Sequence, residues 1–321
     1  MKAPKVRIAR NYRTLVGILA ASLLSLPASA AWKPLAPLPV STYGAAAESI
    51  NGVIYVAGGG IYTNPSSALQ AFNPETNTWT ALANMPSVLQ GGNGAGVINS
   101  QLYVAGGWTY SPPLPNSTLF RYDPPSNTWT TLAPMSHLSA CGGTGVINSK
   151  LYVTTACNGY SNPPYDNFLD VYNPVAKTWT SLPGSASAHG YPAFGVINDK
   201  LYVAGGTNVN GVPTKVFEVY DPATKSWTTL APMKTAVTNP ASVALNGRLY
   251  VFGGNTGTEN VTTVQVYNPY TNKWSIGSSL PAALSSSSGV VVYGLAFMEG
   301  GYGSAGSGTT NQYVAIGASI P

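Results

Sequence analysis

Short runs of apolar residues, mostly β-branched or aromatic, succeed one another along this chain, separated by polar turn formers. Residues 194–206 (FGVINDKLYVAGG) and 215–233 (KVFEVYDPATKSWTTLAPM) show the pattern most plainly, with Asn-Asp, Gly-Gly and Asp-Pro as punctuation. No window has helical 3.6-residue periodicity, so the pattern predicts strands joined in hairpins. Four strands follow in this unit: a (FGVI), b (LYVAG), c (FEVY) and d (SWTTL).

The unit recurs. Phe72/Trp79, Tyr122/Trp129, Tyr172/Trp179, Tyr220/Trp227 and Tyr267/Trp274 are aromatic pairs seven positions apart, and the Trp members step by 50, 50, 48 and 47. One more step of 47 back from Trp79 reaches Trp32, whose AWKPLAPLP echoes SWTTLAPM around Trp227. Its aromatic partner is read at the other terminus, as Tyr313 in NQYVAIG. A period in the forties with four strands per period marks a β-propeller blade. The expected fold is therefore all-β: a six-bladed β-propeller of four-stranded antiparallel blades, its ring closed by the N-terminal strand.

The repeated residues have structural roles. Tyr and Trp face each other across strands c and d, a cross-strand pair that contributes roughly 0.2–1 kcal/mol. Gly-Gly at the end of strand b (58–59, 106–107, 205–206, 253–254, 300–301) removes side chains where another backbone comes close. The double glycine, then Tyr, then Trp after six intervening residues, resembles the motif of the kelch family of β-propellers, from Trp32 to the C-terminus. That resemblance implies a six-bladed ring clasped by an N-terminal strand d. The third unit departs from it, with Thr155-Ala156 at the glycine position, and the last keeps its glycines but not the Asn-X turn.

Residues 1–30 differ in kind. Lys2, Lys5, Arg7, Arg10 and Arg13 precede an apolar stretch from Leu15 to Leu26, then Ala28-Ser29-Ala30. This reads as a secretory signal peptide, too short in its apolar part to span a bilayer, which needs about 20 residues. The expected division is a signal peptide over 1–30 and a propeller over 31–321, in a secreted or periplasmic protein. Of 15 basic residues, 5 lie in that segment, leaving 10 against 10 acidic ones. A neutral remainder has no electrostatic footprint for nucleic acid or an anionic membrane, and a monomer is expected.

Export also bears on the two cysteines. A hairpin about Asn148-Ser149-Lys150 that pairs Ile147 with Leu151 sets Cys141 opposite Cys157, and an oxidising compartment makes a disulfide the expected outcome. The loop closed is about 15 residues, worth roughly 3 kcal/mol in the chain-entropy model. It would offset the missing glycine pair of the third unit.

An antiparallel meander puts the a–b and c–d turns on one face and the b–c and d–a loops on the other. Glu75, Asp123, Asp199 and Asp221, with Lys150, Lys177, Lys200, Lys225, Arg248 and Lys273, solubilise the turn face. The loop face is rich in Tyr, Trp, Asn, Thr and Pro and poor in charge. Variable loops on a constant scaffold are where binding residues concentrate, and aromatics with amides and hydroxyls suit a neutral carbohydrate or a protein surface. The candidate binding residues are Trp108, Tyr110, Tyr160, Tyr165, Tyr43, His189, Tyr191 and Asn158.

Three charges break the repeat: Glu48 on strand a where Gly96, Gly145 and Gly195 match it, Glu299 before Gly300-Gly301, and Arg121 in place of Ala71, Val171, Val219 and Val266. They define an alternative, a sialic-acid-type sugar mutarotase or epimerase like one exported kelch branch, with Arg121 as guanidinium clamp and Glu48 or Glu299 as acid–base group. A remoter alternative resembles the galactose-oxidase-type copper-radical oxidases, using His137 and His189 with the cysteines. The leading reading has no metal, no cofactor and no catalysis. Asn116 and Asn260 lie in glycosylation sequons. Thiol titration of the denatured, exported protein is expected to find no free thiol; two free thiols would overturn the Cys141–Cys157 pairing.

Overall fold

The structure is a computed structural model and describes residues 31–61, 64–89, 94–109, 114–156, 167–303 and 312–316. The expected signal peptide, and Tyr110, Cys157, Asn158, Tyr160 and Tyr165, lie outside the described residues. Six four-stranded antiparallel sheets follow one another as blades. Strands a to d are Ala46–Ile50, Val53–Ala57, Leu69–Asn73 and Thr78–Leu82 in blade 1, and Ala95–Ile98, Gln101–Ala105, Leu119–Asp123 and Thr128–Leu132 in blade 2. Blade 3 has Thr144–Ile147, Lys150–Thr154, Phe168–Asn173 and Thr178–Pro183, and blade 4 has Ala193–Ile197, Lys200–Ala204, Phe217–Asp221 and Ser226–Thr229. Blade 5 has Ala241–Leu245, Arg248–Phe252, Val264–Asn268 and Lys273–Ile276. Blade 6 takes Ser288–Val292, Leu295–Glu299 and Gln312–Ile316 from the C-terminal part and completes its sheet with Ala31–Pro34.

Turn chemistry sets the register. Every a–b hairpin turns on two residues of positive φ, for example Asn99 (52°) and Ser100 (60°), or Tyr293 (51°) and Gly294 (76°). That is the type I′ geometry whose twist matches the flanking strands, and it favours Asn and Gly. In blade 3 the turn is Asn148-Ser149, so Ile147 pairs with Lys150 and Val146 with Leu151. The expected pairing of Ile147 with Leu151 is thus one residue out, because a two-residue turn replaces a three-residue one.

The aromatic pairs are direct register partners on strands c and d, from Phe72↔Trp79 to Tyr267↔Trp274. Their ring centroids lie 5.0 to 5.3 Å apart. Each indole also reaches the preceding blade. Trp79, Trp129, Trp179, Trp227 and Trp274 donate from Nε1 to the carbonyls of Ala36, Ala83, Ala133, Pro183 and Ala231, at 2.8 to 3.1 Å. Where Asn stands two positions earlier, its Oδ1 accepts the N–H of the same alanine: Asn77 from Ala36, Asn127 from Ala83 and Asn272 from Ala231. Asn127 and Asn272 also accept the hydroxyls of Tyr122 and Tyr267. Among the described residues a second aromatic contact crosses four seams, strand b to the next blade's strand c, as in Tyr55–Tyr122 at 6.0 Å and Tyr202–Tyr267 at 6.0 Å.

Blade 6 differs from expectation in one respect. Trp32 is paired with Ala315, and Tyr313 with Pro34, so Tyr313 is not the counterpart of the other strand-c aromatics. Trp32 packs edge-on against Phe252 of blade 5 instead, at 5.5 Å. The Gly-Gly pairs have positive φ throughout, and a Cβ on Gly206 would come within 2.6 Å of the Gly190 carbonyl. In blade 3 the Thr155 hydroxyl accepts the Phe168 N–H at 3.0 Å, which lets a non-glycine pair leave the strand without that conformation.

Blades 3 and 4 have Lys177 and Lys225 at the clamp position, with φ of 58° and 55°. Asn tolerates that backbone region better than Lys and would add an acceptor for the Ala133 N–H. Lys177→Asn is expected to stabilise the protein by about 1 kcal/mol in urea unfolding, and Asn127→Ala to destabilise it by about 1–3 kcal/mol.

Candidate functional site

In blades 1, 3, 4 and 5 the d–a loops that shape the second face are held by a buried polar residue two positions before the strand-c aromatic, a place that Phe120 takes in blade 2. Gln70 accepts from the Val40 N–H at 3.1 Å, Asp170 from His137 at 3.0 Å and Gln265 from Thr235 at 2.8 Å. Glu218 accepts from the amides of Ala186 and Ser187. All four side chains are buried. Sequence reasoning passed over them, although LQAF, LDVY, FEVY and VQVY display the signal: a polar residue in an otherwise apolar strand.

The histidines belong to these anchors. His189 is 4% exposed, with Nδ1 on the Gly205 carbonyl at 2.8 Å and Nε2 on Glu218 at 2.9 Å. It is a fastener beneath the loop face and cannot act there as the surface contact expected from the sequence. His137 bonds Asp170 at 3.0 Å and stacks on Phe168 at 3.8 Å. The two rings are thus committed to carboxylates in separate blades, and among the described residues no three His, Cys, Asp or Glu side chains group as a metal site requires. The donor set does not fit the copper alternative.

Anchored loops meet around the axis. The N–H of Gly44 donates to the Ser286 carbonyl at 2.8 Å, Ser286 to Asn239 at 2.7 Å, Asn239 to Tyr191 at 2.9 Å and Tyr191 to Cys141 at 2.7 Å. These residues occupy matching places in blades 1, 6, 5, 4 and 3, and form a collar of backbone hydrogen bonds from blade to blade. Gly44, Tyr191, Asn239 and Ser286 all have φ between 53° and 62°. Below the collar, hydroxyls tie neighbouring a strands: Ser288 to Ala45 at 2.6 Å, Ser242 to Phe194 at 2.8 Å and Thr144 to Ala95 at 2.9 Å.

The collar rims a central cavity of about 970 Å³. Its wall descends through Ala47, Phe194 and Ser242 to a deep band of Val97, Val146, Val196, Ala244 and Val291. Tyr43, Trp108 and Tyr191 stand at the mouth. Trp108 donates from Nε1 to the Tyr191 hydroxyl at 3.0 Å, and Tyr43 lies edge-on to Tyr302 at 6.2 Å. Trp108 and Tyr191 cover a small buried cluster of Ala140, Cys141 and Ala156. Three of the eight candidate residues are therefore brought together at one opening.

Glu48 also lines the cavity, and burial pushes its carboxyl up to about 7, against a weak lowering by the Ser49 N–H at 3.4 Å. Glycine occupies the matching place in blade 2 because a Cβ on Gly96 would meet Leu151 and Val146 of blade 3. Neither Arg121 nor Glu299 lines the cavity. Arg121 sits on strand c of blade 2 beside Thr130 and Tyr103, and Glu299 is buried at the end of strand b in blade 6. The three outlying charges are not one constellation, and the mutarotase alternative lacks a guanidinium at the cavity. Both sequon asparagines spend their side-chain N–H groups on carbonyls, Asn116 on Gly107 and Asn260 on Tyr302.

Burial alone would raise the Glu218 carboxyl, but the His189 hydrogen bond and charge and two backbone amides outweigh it and hold it below its ordinary value. A depressed carboxylate stabilises the fold fully above its ordinary range and loses that contribution as pH falls through that range toward the native value. Glu218→Gln is expected to cost about 3–5 kcal/mol at neutral pH and to flatten the acid limb of stability measured by denaturant unfolding.

The kelch motif model matches residues 41–86, 91–136, 189–234 and 236–281. An F-box/kelch-repeat protein of Arabidopsis thaliana is 38% identical over 77 residues, 24% of this chain and 20% of that protein. Kelch-like ECH-associated protein 1B of Danio rerio is 41% identical over 85 residues, 25% of this chain and 14% of that protein. Kelch-like protein terF of Aspergillus terreus is 32% identical over 97 residues, 25% and 21% of the two chains. The matches thus span about a fifth or less of these relatives. The solved structure of YjhT superposes with a TM-score of 0.77 at 19% identity, covering 88% of this chain and 97% of that one, which is a likeness of fold. With the motif model matching more than half of its length, this chain belongs to the kelch family of β-propellers.

Proposed function

We propose that this protein is a non-catalytic binding module whose b–c/d–a loop face docks a protein surface. One observation carries the reading. Of the ten large hydrophobic side chains exposed among the described residues, Val40, Val88, Leu114, Leu138, Val209 and Val212 all lie on this face. Aliphatic side chains left in water on several separate loops have no structural reason to gather at one end, whereas a partner that covers them gains their burial. The turn face holds Val175, Tyr270 and Tyr293. It also bears charged ties such as Lys200–Asp221 at 2.8 Å. Membership of the kelch family, whose members generally bind protein partners, supports the same reading.

A neutral glycan is the second reading, favoured by the Trp108–Tyr191 pair at the mouth. The module would act outside the cytoplasm, carried there by residues 1–30. The Cys141–Cys157 bridge is part of this proposal, supported by the burial of Cys141 and by the lack of a free cysteine among the described residues.

In-cell crosslinking with mass spectrometry separates the readings. The doubly substituted Leu114→Asp, Val212→Asp protein is expected to lose a crosslinked partner that a Val175→Asp control keeps. A partner retained by both would overturn the loop-face assignment. Selective signal on a glycan array, abolished by Trp108→Ala, would establish the glycan reading in its place.

A further inference from the structure

The cavity beneath the collar has a charge balance that neither reading of the loop face uses. Among the described residues that line it, Glu48 is the one side chain that carries charge near neutral pH; no described Lys, Arg, His or second carboxylate lines the cavity, and the other titratable groups there are the Tyr43 and Tyr191 phenols. The fold does not require a carboxylate there, since the matching residues are Gly96, Gly145, Gly195, Val243 and Val290. None of the described ion pairs includes Glu48, and its one described hydrogen bond is the long one from Ser49.

We propose that the central cavity binds a small organic cation, an ammonium on an apolar body, with Glu48 as its counter-charge. Glu48 is half-buried, a charge withdrawn from bulk water favours a partner, and a cavity of about 970 Å³ with valines and Phe194 on its wall can take a ligand-sized apolar body beside the carboxylate. The aromatic mouth suits the same ligand, because Tyr and Trp faces attract ammonium groups. A divalent metal ion does not fit, as it needs several oxygen ligands and finds one carboxylate. An anion is repelled, and a neutral ligand leaves the carboxylate unanswered. Burial of Glu48 makes the proton a competitor: below about pH 7 the empty site is protonated, and a bound cation returns it to the ionised form.

The inference does not depend on what docks at the loop face, and its probes are chosen accordingly. Isothermal titration of the protein at pH 8 would compare 4-phenylbutylamine, 4-phenylbutan-1-ol and 4-phenylbutyrate, which share a skeleton and differ in charge. The amine is expected to bind at least about tenfold more tightly than the alcohol, and the acid not at all. Glu48→Gln, with its melting temperature as a folding check, should bring the amine to the level of the alcohol. The unmodified protein should bind the amine about tenfold more weakly at pH 6 than at pH 8, with no such change for the alcohol. Equal affinity for amine and alcohol, an unchanged amine affinity in Glu48→Gln, or no binding by any probe would overturn the proposal. Amine binding by the Leu114→Asp, Val212→Asp protein would show the cavity site standing without the loop-face one.

Discussion

One hydrogen bond recurs at every seam from the sixth blade round to the fifth: a strand-d indole N–H reaching the carbonyl where the preceding blade's last strand ends. A four-stranded blade has two faces and cannot bury either alone, so its stability depends on its neighbours. The tryptophan satisfies both demands at once, packing at a tilt against its own blade's strand-c aromatic and bonding to the blade before. Trp79 closes the circle through Ala36, so the N-terminal segment is held by the sheet of blade 6 and by a hook from blade 1. Loss of that segment would expose two seams.

What was legible in the sequence was local or periodic. Blade number, strand order and hairpin turns follow from residues close in the chain, and repetition multiplies each signal. What escaped depended on distance or on a single residue of offset. His189 looks like any loop histidine until Glu218, 29 positions later, is seen to lie against it. Tyr313 was matched to Trp32 by motif, whereas the ladder puts Ala315 there, because strand c of blade 6 arrives after a break in the repeat. The Asn-x-Trp clamp stood in plain view at 77–79, 127–129 and 272–274, but its partner is a backbone group that no motif displays.

The site shows the same division. Alignment singled out Glu48, Glu299 and Arg121 as departures from the repeat, and each occupies an unusual place. Departure from a pattern does not imply proximity. Glu48 lines the axial cavity, Arg121 sits among strand c and d side chains of blade 2, and Glu299 ends an inner strand of blade 6. Loop composition pointed to Tyr43, Trp108 and Tyr191 without indicating that they share one rim, which follows from the collar that draws the d–a loops inward.

That collar is made of main-chain groups alone, and at the described blades its side chains are Gly, Cys, Tyr, Asn and Ser. Such variety at one ring position means the entrance is decoupled from the integrity of the toroid. The residue at each station can diverge by descent while the bond that joins the blades persists, provided a left-handed backbone is tolerated there. A gene duplicated from such a scaffold can therefore drift toward a new recognition chemistry one station at a time, with the other described stations preserving the architecture during each change.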